Sequence, residues 1–237
     1  MKKFFAVTSA AVLAASLAFS FSSCSDKSGS SSTEGNLAGG ELGSDVNVSQ
    51  EDLPYGATIM QLTPDIDGVP IMTEIDDRFL STEEGTAVSE YFGSFSKKDE
   101  SLLESATYPA VLDFRLKTEG NISEQDFIEK QYENIKSYTG VNFEFTYIMV
   151  NSVSGSGETD FSSYDNLVRD LDADANITDR KCITVDCMYQ DLDNGGNYSL
   201  SNRIGNDVTL YIYTINGKPY VLTGFIRERP PLQGVPS

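Results

Sequence analysis

No histidine occurs in the 237 residues, so a nucleophile–histidine–acid arrangement is excluded. Acid–base or nucleophilic work would fall to aspartate, glutamate, tyrosine, lysine or cysteine. Tyr132, Tyr147, Tyr189 and Tyr211, with Asp186, are the residues such a centre would draw on, yet no spacing gathers them. Tyrosines of half-buried strands ordinarily fill the core and keep the hydroxyl at its rim, so the chain is read as non-enzymatic. Asp170-Leu-Asp-Ala-Asp-Ala-Asn176 sets oxygen ligands at the first, third and fifth positions, the pattern of a helix-flanked calcium loop. Its sixth position is Ala175, where the turn needs glycine, and its twelfth is Lys181, where a bidentate glutamate is needed. The segment reads instead as an acidic helix end entering a turn, and Asp191-Leu-Asp-Asn-Gly-Gly196 as turn chemistry. No metal or cofactor is implied.

Three cysteines remain to be placed. Cys182 and Cys187 stand five apart in one predicted strand, so they face opposite sides and are expected as two buried thiols rather than a disulfide. Cys24 has a different setting. Lys2 and Lys3 precede an uncharged apolar stretch over residues 4–21, the form of a secretion signal, which is set apart from fold reasoning. The junction Phe21-Ser22-Ser23-Cys24 resembles the lipobox of bacterial lipoproteins, with Phe21 where an aliphatic residue is usual. The resemblance implies cleavage after residue 23 and a diacylglycerol on Cys24. Two acyl chains give stable anchoring where one is marginal, at about 0.8 kcal/mol per buried methylene. The membrane would then be a partner through the lipid, and the rest of the chain would lie outside the bacterial cytoplasm. No second stretch reaches the roughly 18 apolar residues of a membrane span.

Charge narrows the partners further. The 17 Lys+Arg and 36 Asp+Glu give −19, and loss of Lys2 and Lys3 leaves 15 against 36, or −21. So acidic a surface repels phosphate backbones, and nucleic acid is excluded as a partner.

Residues 24–52 read as the lipidated cysteine and a Ser/Gly-rich flexible tether that cannot bury enough apolar surface to order. A coil of that length spans about 30 Å. Residues 53–80 form an extended or hairpin arm, with apolar runs at 57–62 and 69–75 around a Pro/Asp/Gly turn. Ser81-Thr-Glu-Glu84 is a capping box, followed at helical spacing by Val88, Tyr91, Phe92 and Phe95. A second helix is expected over 98–106 with Leu102 and Leu103 inward, stopped by Tyr108-Pro109. Residues 111–116 are a strand or a continuation of that connection. Ser123 caps a longer helix with Phe127, Ile128, Gln131, Tyr132, Ile135 and Tyr138 on one side, closed by Gly140. Val141, Phe143, Phe145, Tyr147 and Met149 alternate as one buried strand face. A loop over 151–163, a helix over 164–171 and a strand over 181–190 follow. The last pair, 207–214 and 218–226, joins at Asn216-Gly217, a strong hairpin signal. Residues 227–237 read as a disordered tail.

Two stretches carry a family resemblance: AVSEYFGSFSKKDESLLESATYP at 87–109 and VTLYIYTINGKPYVL at 208–222. They look like the opening helices and closing hairpin of the nuclear-transport-factor-two-like fold. That resemblance implies a cone-shaped α+β domain over residues 81–226, its helices packed in a curved antiparallel sheet. Pro219 stands where the family often has tryptophan and implies an edge strand or a late start. The half-open α+β sandwich of photosystem-associated lumenal proteins is the second resemblance, but it usually ends in a helix this chain lacks. Cones of this kind host enzymes, binders and scaffolds alike. The expected function is a lipid-anchored extracytoplasmic interaction module for an unidentified partner. One alternative is a binder of small hydrophobic molecules inside the cone, lined by Tyr91, Phe95, Tyr132, Phe145 and Tyr147. The other is a cofactor-independent isomerase or hydratase, since family members of the ketosteroid-isomerase type use an aspartate base with Tyr and Asp donors.

Overall fold

A computed structural model describes residues 53–57, 61–62 and 70–223. The expected signal segment, Cys24, the tether, the turn at 63–68 and the tail at 227–237 lie outside the described residues.

Local capping chemistry sets the helices. Helix α1, Thr82–Lys97, opens on the capping box: the Glu84 amide donates to Ser81 Oγ and the Ser81 amide to Glu84 Oε2. Val88, Tyr91, Phe92 and Phe95 are buried on its inner face. Helix α2 runs Glu100–Ala106 from the Asp99 cap. Helix α2 does stop before Tyr108-Pro109, and helix α3, Pro109–Thr118, corrects the strand alternative at 111–116. Pro109 occupies the first helical position, where no amide is needed and a fixed φ favours the helix. Helix α4, Glu124–Thr139, has a second capping box at Ser123/Asp126 and ends at Gly140 with φ 77°.

Seven strands form one sheet. They are β1 Gln61–Leu62, β2 Met72–Ile75, β3 Phe143–Ser154, β4 Ile177–Asp191, β5 Asn197–Ser199, β6 Val208–Ile215 and β7 Lys218–Thr223. The path is β1-β2-β3-β4-β6-β7, with β5 on β4. The sequence sets an extended or hairpin arm over 53–80 before an antiparallel sheet. Instead β2 joins β3 in parallel, Met72 opposite Tyr147 and Glu74 opposite Met149, so the sheet is mixed. Strand β3 extends through the first residues of the expected 151–163 loop, and β4 starts four residues earlier than expected. Helix α5, Ser162–Leu171, and the short α6, Leu200–Ile204, complete the chain. The β6–β7 turn has positive φ at Asn216 (54°) and Gly217 (80°), which the two-residue primed turn requires. Pro219 lies on the outermost strand, where its missing amide costs no ladder bond.

The sheet is apolar on both faces. Its inner face, with Phe143, Phe145, Ile148, Val150, Ile183, Val185, Cys187, Tyr189, Leu210, Ile212 and Val221, packs with α1, α2, α4 and α6. On the other face Tyr213, Ile215 and Leu222 meet Tyr108 and Val111 around α3, and Phe161 and Val168 around α5. Helices thus lie against both faces of the sheet. Arg180 fixes α5 from below through its Nε, 2.6 Å from Asp165 Oδ1.

One buried charge ties 53–57 to the end of β2. Asp76 is 0 % exposed and accepts from Arg78 Nε at 2.9 Å and from the Gly56 amide at 3.1 Å. Arg78 also donates to the carbonyls of Leu53 and Pro54. The Arg78 guanidinium holds the Asp76 carboxyl below the usual aspartate range. With its folded pKa depressed, Asp76 contributes stability above the ordinary aspartate value of about 3.9. That contribution is lost as pH falls below that value towards the folded one. Removing one partner of a buried pair costs about 3–5 kcal/mol; Arg78 keeps 17 % exposure, so Asp76→Asn should cost about 2–3 kcal/mol at neutral pH. Urea unfolding of both proteins should show that gap shrinking below about pH 4; a gap constant down to pH 2 would contradict it.

Candidate interaction surface

The expected alternation of β3 breaks at Thr146. Phe145 pairs with Tyr189 and Tyr147 with Met188, so one extra residue sits opposite β4 between them. Such a bulge shifts the side chains that follow to the other face, here as far as a second bulge between Val150 and Ser152. Phe143 and Phe145 point inward, and after the bulge Ile148 and Val150 do so. Tyr147 and Met149, expected inside, are turned outward, and Met149 is 37 % exposed.

Strand register then assembles a surface from three strands. One row runs Met72–Tyr147–Met188 and the next Glu74–Met149–Asp186. Met72 is 40 % exposed and Met188 half-buried. The chain has five methionines, and all three that the structure describes lie in this grid. The Tyr147 hydroxyl donates to Glu74 Oε2. Burial, with that carboxylate beside it, pushes the Tyr147 phenol up to about 12, so it stays a neutral donor. Asp186 is held by Ser199 Oγ at 2.7 Å and the Ser201 amide at 3.0 Å. Glu144, opposite Gln190, adds a third carboxylate on the same side. The far half of this face is covered: Cys182 and Tyr211 meet Tyr164 and Phe161 of the α5 region. No helix among the described residues contributes to an apolar cluster over the methionine grid.

The remaining sequence candidates do not converge. Tyr91, Phe95, Tyr132 and Phe145 are buried in the main core, 7 % exposed or less. Tyr91 stands edge-on to Phe95, Phe92 edge-on to Phe145, and Tyr132 stacks on Phe143 at 4.7 Å. Side chains fill the space that an interior ligand would use, and Tyr147 is on the other side of the sheet. Clefts of about 650 and 550 Å³ lie elsewhere, beside the 155–160 loop and Arg180. Of the acid–base set, the Tyr132 hydroxyl accepts from the Phe143 amide and that of Tyr189 from Arg203 Nε. Tyr211 sits by Cys182 on the opposite face. The five residues are thus spread over both sides of the sheet.

Cys187 is fully buried and Cys182 half-buried across the sheet; both are free thiols, and burial pushes both up. In the acidic loop, Asp172 accepts from the Tyr108 hydroxyl and the Asp174 amide. Lys181, at the position a calcium loop gives to glutamate, donates to Glu84 at 2.6 Å and so ties the α1 cap to β4. Among the described residues no three His, Cys, Asp or Glu side chains could hold a metal ion. Nor is any described helix long and apolar enough to cross a membrane. Sequence reasoning missed the grid because it missed the bulge; the one available signal was Met72-Thr-Glu-Ile75, whose period of two leaves Met72 outside.

Compared with known proteins, the chain matches no family model, no curated protein and no solved structure.

The bulge gives a ranking that unbroken alternation does not. Phe145→Ala should cost about 3–5 kcal/mol, and Met149→Ala no more than about 0.5 kcal/mol. Denaturant midpoints of the two variants measure this directly. Equal losses would return Met149 to the core.

Proposed function

We propose that the chain is a lipid-anchored extracytoplasmic interaction module, held by acyl groups on Cys24, that docks a partner on the Met72–Tyr147–Met188 face. The observation that carries this reading is the clustering of all three described methionines on a part of the sheet that no described helix covers. Contiguous exposed apolar surface marks interaction sites, and unbranched, polarizable methionine adapts to varied partners. Glu74, Glu144 and Asp186 around it favour a partner segment that is both apolar and cationic. The filled core around Tyr91 and Phe145 speaks against an interior ligand, and the scattered tyrosines against acid–base catalysis. Helices followed by the antiparallel run β3-β4-β6-β7 support the nuclear-transport-factor-two-like reading and its cone. The parallel β2 would be an addition to that plan.

Two experiments separate the anchor from the surface. Cys24→Ala should move the protein from membranes to the soluble extracytoplasmic fraction, or leave its signal uncleaved; unchanged, lipid-labelled attachment would refute lipidation there. A photo-reactive residue at position 72 or 149 should give a discrete intermolecular adduct in living cells, while one at the exposed Phe114 of α3 should not. Equal adducts at all three positions, or none, would remove the docking face.

A further inference from the structure

The structure assigns Met72 and Met149 as modification sites: two-electron oxidants such as hydrogen peroxide convert their thioethers to sulfoxides, which closes the docking face while the fold stays intact. The oxidation stands on the described side chains alone; its effect on docking rests on the reading of that face as the partner's site.

Burial decides which sulfur reacts. The described residues hold three methionines and two thiols. Cysteine oxidises as the thiolate and from an accessible position. Cys187 is 0 % exposed in the main core, and Cys182 is half-buried beside Tyr164 and Tyr211. Burial pushes both thiols up, so neither supplies thiolate at neutral pH. A thioether needs no deprotonation, only access. Met72 and Met149 are 40 % and 37 % exposed, while Met188 is half-buried between Tyr147 and Ser199 in strand register. Access therefore favours the two thioethers over either thiol. In the reaction a sulfur lone pair attacks one peroxide oxygen and the O–O bond breaks. The leaving hydroxide takes the proton of the transferred hydroxyl. One thioether and one peroxide thus give one sulfoxide and one water, and sulfur gives up two electrons.

Register decides what the sulfoxide does. None of the three methionines belongs to either apolar cluster, so an added oxygen meets water rather than core. Met149 stands diagonal to both Met72 and Met188, and such neighbours are about 7–8 Å apart. The sulfoxides therefore fall within one patch, each turning a flexible apolar end into a polar one. The face has few donors to receive them. The Tyr147 hydroxyl already donates to Glu74, and Ser199 Oγ and the Ser201 amide to Asp186. No lysine or arginine stands among the described outward residues of β2, β3 and the 184–190 part of β4. Water is then the sulfoxide's donor. A partner whose cations are drawn to the carboxylates must strip that water with its apolar side chains. Burying an acceptor without a donor weakens binding roughly tenfold or more.

The test has two arms. The full lipidated chain in phosphatidylcholine vesicles is treated with hydrogen peroxide, and peptide mass spectrometry maps the products. Met72 and Met149 should become sulfoxides before either thiol reacts, with circular dichroism unchanged. Thiols oxidised first, or a fold lost with the first sulfoxides, would overturn the modification sites. In isolated membranes, a photo-reactive residue at position 190, beside the grid, should give an adduct that peroxide lowers roughly tenfold. The two methionine sulfoxide reductases, one per epimer, should restore it. Met72→Leu/Met149→Leu/Met188→Leu, apolar but not oxidised, should keep its adduct through the same peroxide, and Met72→Gln/Met149→Gln should lose it without any. Loss in the leucine variant would place the effect in the partner, and either that or an unchanged adduct in the glutamine variant would overturn closure of the face. No adduct before peroxide would remove the docking reading and the closure with it, whereas the sulfoxide map needs no partner and decides the sites either way.

Discussion

Of the two extra residues that β3 carries against β4, the one at Thr146 decides which of its central side chains are buried. Phe143 and Phe145 are two apart and point inward; Ile148 and Val150 are again two apart and point inward, though three residues separate Phe145 from Ile148. Without the bulge, one of these pairs would face water and Tyr147 and Met149 would have to enter a core already filled by Phe92, Phe127 and Tyr189. The bulge thus lets a β-branched pair and an aromatic pair share one interior, and its by-product is an outward Tyr and Met beside Met72 and Met188. Burial sets the register, and the surface follows from it.

The outward side of the sheet is divided by what covers it. At the β6–β7 end, Tyr213 donates its hydroxyl to the Phe161 carbonyl and Arg180 pairs with Asp165, so α5 is fixed by both polar and aromatic contacts. At the β2–β3 end the chemistry changes to methionine and carboxylate. A covered half rigidifies the sheet, and the half that no described helix covers carries the adaptable side chains on which the docking proposal rests. That division supports a docking role better than an interior site, because four of the five aromatic residues proposed to line one are packed into the core, Tyr91 on Phe95, Phe145 on Phe92 and Tyr132 on Phe143. The acid–base candidates lie apart: Tyr132 and Tyr189 belong to the main core, Tyr211 to the α3 and α5 cluster, and Tyr147 and Asp186 to the methionine face.

Much of the scaffold was legible because its signals are local. Both α1 and α4 begin at capping boxes, and the Asn216-Gly217 turn has the positive φ values its sequence implies. The opposite-facing Cys182 and Cys187 followed from strand periodicity alone. What escaped depends on non-local pairing. Nothing near Thr146 announces a bulge; it is set by the pairing of β3 with β4, which brings Ile148 and Val150 into the core. Pro109 can end one helix or begin the next, and the packing of Val111 and Leu112 decided for beginning. The parallel pairing of β2, the three-residue β5 and the five-residue α6 are held by their neighbours and carry little pattern of their own. The candidate surface was illegible for the same reason, since its three methionines come from strands far apart in sequence.

The most direct measurement is methyl NMR of the protein with labelled methionine and tyrosine. The Met72 and Met188 methyl groups should both show nuclear Overhauser contacts to the Tyr147 ring, with Tyr147 making none to Phe92 or Phe145. A Tyr147 ring in contact with Phe145, and no methionine methyl near it, would place that side chain in the core and contradict the account.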